Sequence, residues 1–504
     1  MKSALISVWT KEGIENYAKE LMDLGYEIIS TKGTCEYLKK FNINAKSIDE
    51  ITNFEPLFDG RVKTLHPIIF GGILYKRNNL KHQIQAKEKN VPNIEIVIVD
   101  LYPFSIASKE IIDEEELFEF IDIGGISLIR ASAKNYKDVI LIVDLDDLDW
   151  VIEKIKKNSL TIEDRRKLAL KGFCKSADYD SFIYNELLIR WQFNIYELDL
   201  ILSYRKGYHL RYGENPHQKA SLLFNNYIKG FAQTLEYIWG KELSYNNLLD
   251  SFSAYSIVME FNEKACAIVK HNNPCGVAIG SDEVEVYKKA YESDSLSAYG
   301  GIIAFNFEVN ERLAKLINEN FYEVVIANSY TQKALDVLKE KKNRRILKVN
   351  NYKKPNFYIR DLGGDLLICE EDSILYNELN IVSGDNLTEE EKKQIEFGIK
   401  VIKHIKSNAI LLLKNFSTVG IGAGQMSRID ALKVAIMKAG EKAKGSILIS
   451  DAFFPFPDSI ELAYQNGIYL IVEPGGSVRD NEVINKAKEY NIKLVFTGIR
   501  HFSH

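Results

Sequence analysis

Two short apolar runs flank the polar stretch Lys270-His271-Asn272-Asn273-Pro274-Cys275-Gly276. Ala265–Val269 before it and Val277–Ile279 after it are each predicted to form a buried strand, because both are short, apolar and contain β-branched residues. Polar groups at the end of a buried strand are costly unless they are hydrogen-bonded or solvated. Lys270 and His271 are therefore candidates for a chemical role, with an ordinary solvated turn as the alternative.

Pro274-Cys275 also matches the start of the Pro-Cys-x-x-Cys signature of zinc deaminases. The second cysteine position is Ala278, and no His-x-Glu sequence precedes the stretch. A tetrahedral zinc site needs three or four protein ligands. The stretch therefore predicts no metal, unless ligands come from distant parts of the chain.

Length and composition predict a soluble protein of two or three domains. The 504 residues are 46% hydrophobic and 27% charged, which is ordinary for globular proteins. A net charge of −5, with Lys and Arg dispersed, gives no electrostatic basis for binding nucleic acid. No apolar run approaches the roughly 20 residues that span a bilayer, and the N-terminus does not resemble a signal peptide. Five scattered cysteines predict reduced thiols, so we expect a cytoplasmic protein.

The N-terminal third reads as alternating strands and helices. Ala4–Val8 and Tyr26–Ile29 are predicted strands, and Gly13–Leu24 between them has the apolar spacing of an amphipathic helix. This order predicts a parallel, right-handed α/β sheet. The loop Ser30-Thr31-Lys32-Gly33-Thr34 leads into a further helix and is either a phosphate site or an ordinary helix cap.

Three further polar segments fall at the ends of predicted elements. Gly60–Pro67 carries two basic residues, Asp100–Phe104 follows the predicted strand Ile94–Val99, and Ile121–Gly125 sets a carboxylate before a helix that reaches Asn135. Open α/β sheets bind ligands at the carboxyl ends of their strands. A basic surface loop, packing and capping are the alternative explanations.

These segments resemble the cyclohydrolase part of a bifunctional purine biosynthesis family, AICAR formyltransferase/IMP cyclohydrolase, where AICAR is phosphoribosylaminoimidazolecarboxamide. The resemblance implies a fold like that of methylglyoxal synthase. It implies the catalytic residues Lys63, Tyr102, Asp122 and Lys134. It also implies a set of nucleotide-binding residues, namely Ser7, Lys11, Ser30, Thr34, Arg61, Thr64, Gly124 and Gly125.

The chain departs from the family pattern in places: among other changes, Trp9 replaces a serine, Lys32 replaces a glycine, and Asp100 replaces an asparagine. An indole in the expected phosphate loop and a carboxylate near a phosphate would both weaken phosphate binding. The alternative reading is therefore a monofunctional AICAR formyltransferase with an impaired cyclohydrolase domain.

A boundary is predicted after a long helical region, Thr161 to about Trp191, that a Thr161…Asp164 capping box opens. Periodicity is lost from about Gln192 to Gly207, so we predict domains at residues 1–195 and 205–504. Leu210–Gln218, which follows, is too polar for a core, and it is either a solvated loop or the opening motif of the family's formyltransferase part.

The resemblance continues to the C-terminus, through Asp294–Gly301, Ser407-Asn408-Ala409, Gly422–Arg428, Ser450–Phe456, Pro474–Ser477 and Arg500–His504. It implies the catalytic residues Lys270, His271 and Asn408. It also implies substrate contacts by Arg211, Tyr212, Asp294, Arg428, Phe453, Asp458, Arg500 and His504.

A weak internal echo relates Ala267–Gly280 to Ala409–Gly424, since both read as strand, polar loop, strand and glycine. It agrees with the tandem cytidine-deaminase-like α/β subdomains that the resemblance implies for the C-terminal part. A Thr388…Glu391 capping box opens a helix leading to Lys403 and His404, which we expect to be surface or helix-end residues.

The resemblance implies two successive reactions. A formyl group passes from 10-formyltetrahydrofolate to the amine of AICAR, and formyl-AICAR then loses water as the ring closes to IMP. It implies AICAR, formyl-AICAR, IMP and folate as ligands, a homodimer, and no metal or redox cofactor. A non-catalytic nucleotide-binding protein is disfavoured because Lys270 and His271 are both present.

Overall fold

A computed structural model describes all residues, 1–504, and divides into two units. Five parallel strands form the sheet of the N-terminal unit, residues 1–203. In chain order they are β1 (Lys2–Ser7), β2 (Tyr26–Ser30), β3 (Ala45–Ser47), β4 (Asn93–Val99) and β5 (Ile140–Ile142). Across the sheet the order is β3-β2-β1-β4-β5. The predicted parallel α/β sheet is confirmed.

Helices cover both faces of this sheet, and two separate apolar clusters fill the space between the layers. Gly25, with φ 84°, follows the first helix in the left-handed conformation in which glycine commonly ends helices. The predicted capping box of Thr161 and Asp164 begins the longest helix. The helices are α1 (Ile14–Asp23), α2 (Lys32–Lys39), α3 (Ile48–Thr52), α4 (Pro67–Leu74), α5 (Leu80–Glu88), α6 (Phe104–Glu110), α7 (Glu114–Phe118), α8 (Gly124–Lys134), α9 (Leu148–Lys156) and α10 (Ile162–Arg190).

The C-terminal unit, residues 204–504, is built on one twelve-stranded sheet and two small hairpins. Its strands are β6 (Tyr204–Leu210), β7 (Ala220–Asn225), β8 (Leu235–Trp239), β9 (Lys264–Lys270), β10 (Asn273–Gly280), β11 (Ile302–Val309), β12 (Val324–Tyr330), β13 (Arg345–Val349), β14 (Phe357–Leu362), β15 (Asp365–Glu370), β16 (Asn380–Ser383), β17 (Ile410–Lys414), β18 (Ser417–Gly422), β19 (Ile447–Ser450), β20 (Leu470–Glu473) and β21 (Lys493–Phe496). The large sheet runs β16-β21-β20-β19-β17-β18-β10-β9-β11-β12-β13-β8.

The helices of this unit are α11 (Tyr245–Val258), α12 (Glu283–Ser293), α13 (Ser295–Ala298), α14 (Glu311–Asn318), α15 (Gln332–Leu338), α16 (Glu389–Ile402), α17 (Arg428–Ala439), α18 (Asp458–Gln465) and α19 (Asp480–Glu489). One continuous apolar cluster includes α11 and α16 on one face of the sheet. On the opposite face, α12, α14 and α15 pack over one half, and α17, α18 and α19 pack over the other. None of the helices combines the length and apolar character that crossing a membrane requires.

The large sheet is an internal duplication about the contact between β10 and β18. From that contact outward, β10-β9-β11-β12-β13-β8 repeats as β18-β17-β19-β20-β21-β16, with matching strand directions. The helices recur in the same chain positions, and a 3₁₀ helix, Gly440–Ala443, takes the place of α13. The internal echo in the sequence is thus one part of a repeat that covers both halves of the sheet.

Strand register shows how closely the two halves correspond. Lys270 lies opposite Asn273, and the pairing shifts by one residue between Pro274 and Gly276. Lys414 lies opposite Ser417, and the same shift follows between Leu412 and Leu413. Lys414 therefore occupies the position of Lys270 in the second half.

Lys403 and His404 lie at the end of α16, as predicted, but they are not surface residues. Glu260, which follows α11, accepts from Lys403 Nζ at 2.8 Å and lies 3.0 Å from His404 Nε2. Burial alone would raise the pKa of Glu260, yet the contacts with His404 and Lys403 lower it to about 2. Burial lowers the pKa of His404, which favours the neutral imidazole. The cluster joins the equivalent ends of the two duplicated helices.

We predict that Glu260→Gln lowers the free energy of unfolding at pH 7 by about 3 kcal/mol, because Lys403 then remains buried without its counter-charge. A carboxyl with a lowered pKa stabilises the fold fully above its ordinary pKa of 4.5, and this contribution disappears as the pH falls toward 2. Denaturant unfolding at pH 7 and pH 3 measures both effects. Glu263→Gln, at an exposed carboxylate nearby, is the control, and equal losses in the two variants would contradict the prediction.

Candidate functional sites

A cavity of about 670 Å³ opens at the carboxyl ends of β1, β2 and β4. This is the edge at which parallel α/β sheets bind ligands. The structure brings most of the predicted N-terminal site residues to its wall, namely Ser7, Lys11, Thr34, Arg61, Lys63, Thr64, Tyr102, Asp122, Gly124 and Gly125. Ser30 does not line the cavity, because it is fully buried and its hydroxyl donates to the carbonyl of Thr31.

Lys63 and Tyr102 form the most direct polar pair in this cavity. Lys63 Nζ donates to the Tyr102 hydroxyl over 2.8 Å, and the ammonium lies 5.3 Å from the centre of the ring. The ammonium and the phenol hydroxyl thus present proton donors side by side. The pair can therefore stabilise negative charge and exchange a proton at one point of the cavity wall.

Asp122 lies next to this pair at the start of α8. Its carboxylate accepts from the backbone N–H of Gly125 over 2.6 Å, and its own N–H donates to Tyr179 Oη over 2.9 Å. Burial raises the pKa of Asp122, although the N–H groups of Gly125 and Tyr102 and the charge of Lys63 oppose the rise. A half-buried carboxyl with a raised pKa is suited to proton transfer.

The glycines at the start of α8 are required by close packing. A Cβ at Gly124 would collide with Thr64 Oγ1, and one at Gly125 would lie 2.6 Å from Asp122 Oδ2. Thr64 Oγ1 is buried and has no hydrogen-bond partner in the protein. A hydroxyl without a partner beside a helix N-terminus is available to an anionic ligand.

The departures from the family pattern take defined positions around the cavity. Trp9 packs edge-on against Tyr102, with ring centroids 5.1 Å apart, and Asp100 accepts from the backbone N–H of Thr10 over 3.1 Å. Arg61, a predicted nucleotide contact, is paired with Glu119 on the surface. Exposed pairs of this kind are weak and exchange partners readily. The indole therefore supports the tyrosine ring, and Arg61 can be released to a ligand.

Lys134 is the predicted catalytic residue that the structure does not bring to this cavity. It is the last residue of α8, is exposed, and lies outside the cavity wall. The ten residues that separate it from Gly124 correspond to about 15 Å along a helix. The motif Ala133-Lys134-Asn135 carried no information on which end of the helix faces the site.

We predict that Lys134→Ala changes the rate of ring closure by no more than about twofold, as expected for an exposed residue away from a site. Lys63→Ala, by contrast, should lower kcat by about 10²–10³-fold through loss of charge stabilisation. Steady-state assays with purified formyl-AICAR measure both. A large loss in Lys134→Ala with unchanged thermal stability would place Lys134 in the reaction.

The second site is the hairpin that the polar stretch at residues 270–276 predicts. His271 and Asn272 form its two-residue turn with φ values of 54° and 59°. Two-residue hairpin turns favour positive φ at both positions, but histidine adopts that region at a cost of about 1–2 kcal/mol. The turn places the histidine side chain at the exposed tip, directly after Lys270 at the end of β9.

Asp250 of α11 secures this turn, and sequence reasoning missed it. Its carboxylate accepts from the backbone N–H of His271 over 3.1 Å and of Asn272 over 2.7 Å. Hydrogen bonds to a charged group each contribute about 1.5–3 kcal/mol, which exceeds the cost of the strained histidine. An aspartate within an amphipathic helix reads as solvated surface, so no signal in the sequence identified it.

Lys270 and the turn contact two other segments. Lys270 Nζ donates to the carbonyl of Tyr299 over 2.9 Å, and Asn273 Oδ1 accepts from the N–H of Lys406 over 3.0 Å. Lys406 Nζ in turn donates to the carbonyl of His504 over 2.6 Å. The Lys-His turn, the segment leading to Asn408, and the C-terminal tail are therefore connected by hydrogen bonds.

Asn408 is held by Arg428 rather than left free. Arg428 donates to Asn408 Oδ1 over 2.9 Å and forms a buried ion pair with Asp451. Burial lowers the pKa of Arg428 to about 10. Arg428 is a predicted nucleotide contact, yet it is only 8% exposed and its guanidinium is already paired with Asp451. Asn408 Nδ2 donates to the carbonyl of Gln425, so both ends of this amide are engaged.

A buried carboxyl supports the loop that carries Phe453. Glu473, at the end of β20, accepts from the N–H of Phe454, and burial raises its pKa to about 8. Phe453, the neighbouring residue, is 38% exposed and can stack on a flat ligand. Asp458 is exposed at the first position of α18.

The remaining predicted contacts are distributed around this unit. Arg211 lies over the ring of Tyr212 at 5.3 Å, and the N–H of Tyr245 at the start of α11 donates to the Tyr212 carbonyl. Asp294 is not free, because Lys438 pairs with it at 2.8 Å. Arg500 stacks over Phe502 at 4.4 Å.

Each unit thus has one polar site lined by lysine and acid–base side chains, and the two sites have different residue sets. Such a chain is an enzyme for small polar substrates that has two separate active centres. No cluster of His, Cys, Asp or Glu is arranged to hold a metal ion.

The comparisons identify the family. The profile described as "AICARFT/IMPCHase bienzyme" matches residues 132–438, and the profile "MGS-like domain" matches residues 13–127. The bifunctional purine biosynthesis protein PurH of Aquifex aeolicus is 45% identical over 99% of this chain and 100% of its own. The PurH proteins of Fusobacterium nucleatum and Thermoanaerobacter sp. are 46% and 47% identical over the full length of both chains. The chain therefore belongs to the AICARFT/IMPCHase bienzyme family.

One solved structure, titled "Crystal structure of ForH", is 30% identical and covers 38% of this chain and 98% of its own, with a TM-score of 0.34. That score is too low to define the fold.

We predict that Asp250→Ala lowers kcat for formyl transfer by about 100-fold, because displacing a reacting group by about 1 Å has an effect of this size. Asp250→Asn keeps one hydrogen-bond acceptor, so its kcat should fall less than that of Asp250→Ala. Ring closure by the same protein should be unchanged, which excludes general misfolding. Gln394→Ala, at the matching position of α16, is the control; an equal loss in this variant would show that Asp250 has no special role.

Proposed function

We propose that this enzyme catalyses the last two steps of IMP synthesis. It transfers a formyl group from 10-formyltetrahydrofolate to AICAR and then closes the ring of formyl-AICAR with loss of water. The observation that carries the proposal is the match over the whole chain to bifunctional PurH proteins, together with an intact Lys270-His271 turn. We assign ring closure to residues 1–195 and formyl transfer to residues 205–504.

In formyl transfer the amine of AICAR attacks the formyl carbon of the folate. The amine is a poor nucleophile because the neighbouring carboxamide withdraws electrons from it, so it needs a base as the new C–N bond forms. We assign this role to His271, because imidazole titrates near neutral pH and a positioned base contributes about 10²–10⁴-fold.

The tetrahedral intermediate then collapses as the bond from carbon to the folate nitrogen breaks. Lys270 is proposed to stabilise the oxyanion or to protonate the departing nitrogen. Asn408 is proposed to donate to the oxyanion, a contribution of about 3–4 kcal/mol. That donation requires Asn408 Nδ2 to leave the carbonyl of Gln425. Arg211, Tyr212 and Arg428 are proposed to hold the nucleotide.

Four further residues are proposed to contact substrate in the formyltransferase unit. Phe453 would stack on a flat ring, and Asp458 would orient substrate. Asp294 and the tail residues Arg500 and His504 complete the proposed set. Asp294 reaches a ligand only if Lys438 is displaced from it.

In ring closure the carboxamide nitrogen of formyl-AICAR attacks the formyl carbon, and water leaves. Both reacting groups belong to one molecule, so orientation supplies much of the rate. Tyr102 and Asp122 are proposed to move protons, and Lys63 to stabilise negative charge at the attacked oxygen. Thr64, Gly124 and Gly125 are proposed to bind the nucleotide at the start of α8.

The monofunctional alternative finds no support in the cavity. Asp100 is engaged with the N–H of Thr10, and Trp9 packs against Tyr102 without closing the cavity. The relatives reported above are all named bifunctional proteins. Incubation with AICAR and 10-formyltetrahydrofolate, followed by chromatography, tests the point: IMP is expected, and accumulation of formyl-AICAR would support the alternative.

We also propose that the enzyme is a cytoplasmic homodimer. The family resemblance implies the dimer, and the C-terminal unit exposes large apolar side chains such as Leu296, Met426 and Met437. The five cysteines are unpaired, which suits a reducing compartment. Sedimentation equilibrium should give twice the chain mass of 57.6 kDa, and a monomer at micromolar concentration would overturn the dimer.

We predict that one substitution in each site separates the two reactions. His271→Ala should lower formyl transfer by about 10²–10⁴-fold and leave ring closure unchanged, because the base is lost from one site only. Lys63→Ala should have the opposite pattern. Each half-reaction is assayed separately on each variant, and loss of both activities in either variant would contradict the assignment to two sites.

A further inference from the structure

The second half of the duplicated sheet contains a pocket of about 290 Å³ that lies between the start of α16, the end of β17 and Tyr469. Its residues correspond to those of the Lys-His site. Thr388 and Glu391 form the capping box that Ser244 and Asn247 form at the start of α11. The pocket is therefore the internal counterpart of the proposed formyl-transfer site.

Lys414 reproduces the contacts of Lys270. Lys414 Nζ donates to the carbonyl of Lys444 over 3.2 Å, as Lys270 Nζ donates to the carbonyl of Tyr299 over 2.9 Å. A glycine with positive φ follows each of these carbonyl groups, Gly445 at 72° and Gly300 at 75°. The ammonium group and its surroundings are thus preserved in the second copy.

The acid–base residues are not preserved. Asn415 replaces His271 in a turn that has the same positive φ, at 52°. Gln394 replaces Asp250, and its Oε1 is buried without a hydrogen-bond partner in a residue that is only 7% exposed. A buried amide oxygen of this kind is satisfied when a ligand supplies an N–H donor.

We propose that this pocket is a second binding site, for a small planar heterocycle of the aminoimidazole-carboxamide or purine-base class. Gln394 Oε1 accepts from an amino or ring N–H of the ligand, Lys414 donates to its carbonyl oxygen, and the exposed ring of Tyr469 packs against its face. The ligand class rests in part on the proposed function, because the pocket is a copy of the proposed formyl-transfer site.

Charge and size favour a base rather than a nucleotide. Lys414 is the single cation in the pocket wall, and Glu390 beside it opposes a phosphate. Glu391 also lines the wall, but Lys493 pairs with it at 2.9 Å. A volume of about 290 Å³ is at the lower end of ligand pockets, where a nucleobase fits. Without an imidazole the site lacks the base that formyl transfer requires, so it binds ligand without converting it.

The test uses the full chain and the free base 5-aminoimidazole-4-carboxamide in equilibrium dialysis. Thr64→Val and Arg211→Ala, at two of the proposed ligand contacts, are introduced together to weaken binding at the two active centres. One site per chain with a Kd in about the millimolar range is expected in this background. Adding Lys414→Met or Gln394→Leu should raise Kd at least about tenfold, since each removes a hydrogen bond from a small ligand.

Two outcomes would overturn the proposal: no binding in the background chain up to about 10 mM base, or binding that neither added substitution weakens. Gln394→Leu removes an unpaired buried oxygen, so the ligand-free protein should unfold at the same temperature or higher. Lys414→Met alters an exposed residue and provides the second variant if Gln394→Leu does not fold.

The single variants Lys414→Met and Gln394→Leu should keep full formyl transfer. Absence of formyl transfer in the unsubstituted chain would instead contradict the proposed function. Failure of the second binding site and failure of the proposed function are therefore measured separately.

Discussion

The proposed formyl-transfer chemistry depends on a backbone turn that would be unfavourable by itself. His271 has a positive φ, and the carboxylate of Asp250 accepts both N–H groups of the turn. The two charged hydrogen bonds outweigh the conformational cost of one histidine. Because Asp250 belongs to α11, which packs against β9 in the apolar core, the position of the imidazole is set by the core of the sheet.

The duplication explains why the chain can support such a turn. The same register shift and the same two-residue turn occur in both halves, so the hairpin belongs to the fold rather than to the chemistry. Only one half has a carboxylate at the supporting helix position and an imidazole at the tip. The cluster of Glu260, Lys403 and His404 joins the equivalent ends of α11 and α16. Loss of the Glu260 charge there would leave the Lys403 charge buried without a partner.

Local patterns in the sequence were sufficient for the strands, the capping boxes and the parallel N-terminal sheet. They also placed polar segments at one edge of that sheet, because carboxyl ends of parallel strands meet there. The individual residues of the N-terminal cavity came from the family resemblance. Lys134 lies at the end of α8 away from Gly124, and a motif at the end of a helix does not state which end faces the cavity. Asp250, Asp451 and Glu473 were missed because their importance comes from burial and distant partners. The burial of Lys403 and His404 at the end of α16 was not apparent from the sequence for the same reason.

Burial also decides how the proposed substrate contacts can act. Arg428 and Asp294 carry charges that suit a nucleotide, yet each already has an opposite charge beside it. A ligand gains little from a buried charge that must first lose its partner. The exposed groups, His271, Arg211, Phe453 and Arg500, need no such rearrangement. The paired residues therefore fix Asn408 and the start of α13, while the exposed residues are open to a ligand as they stand.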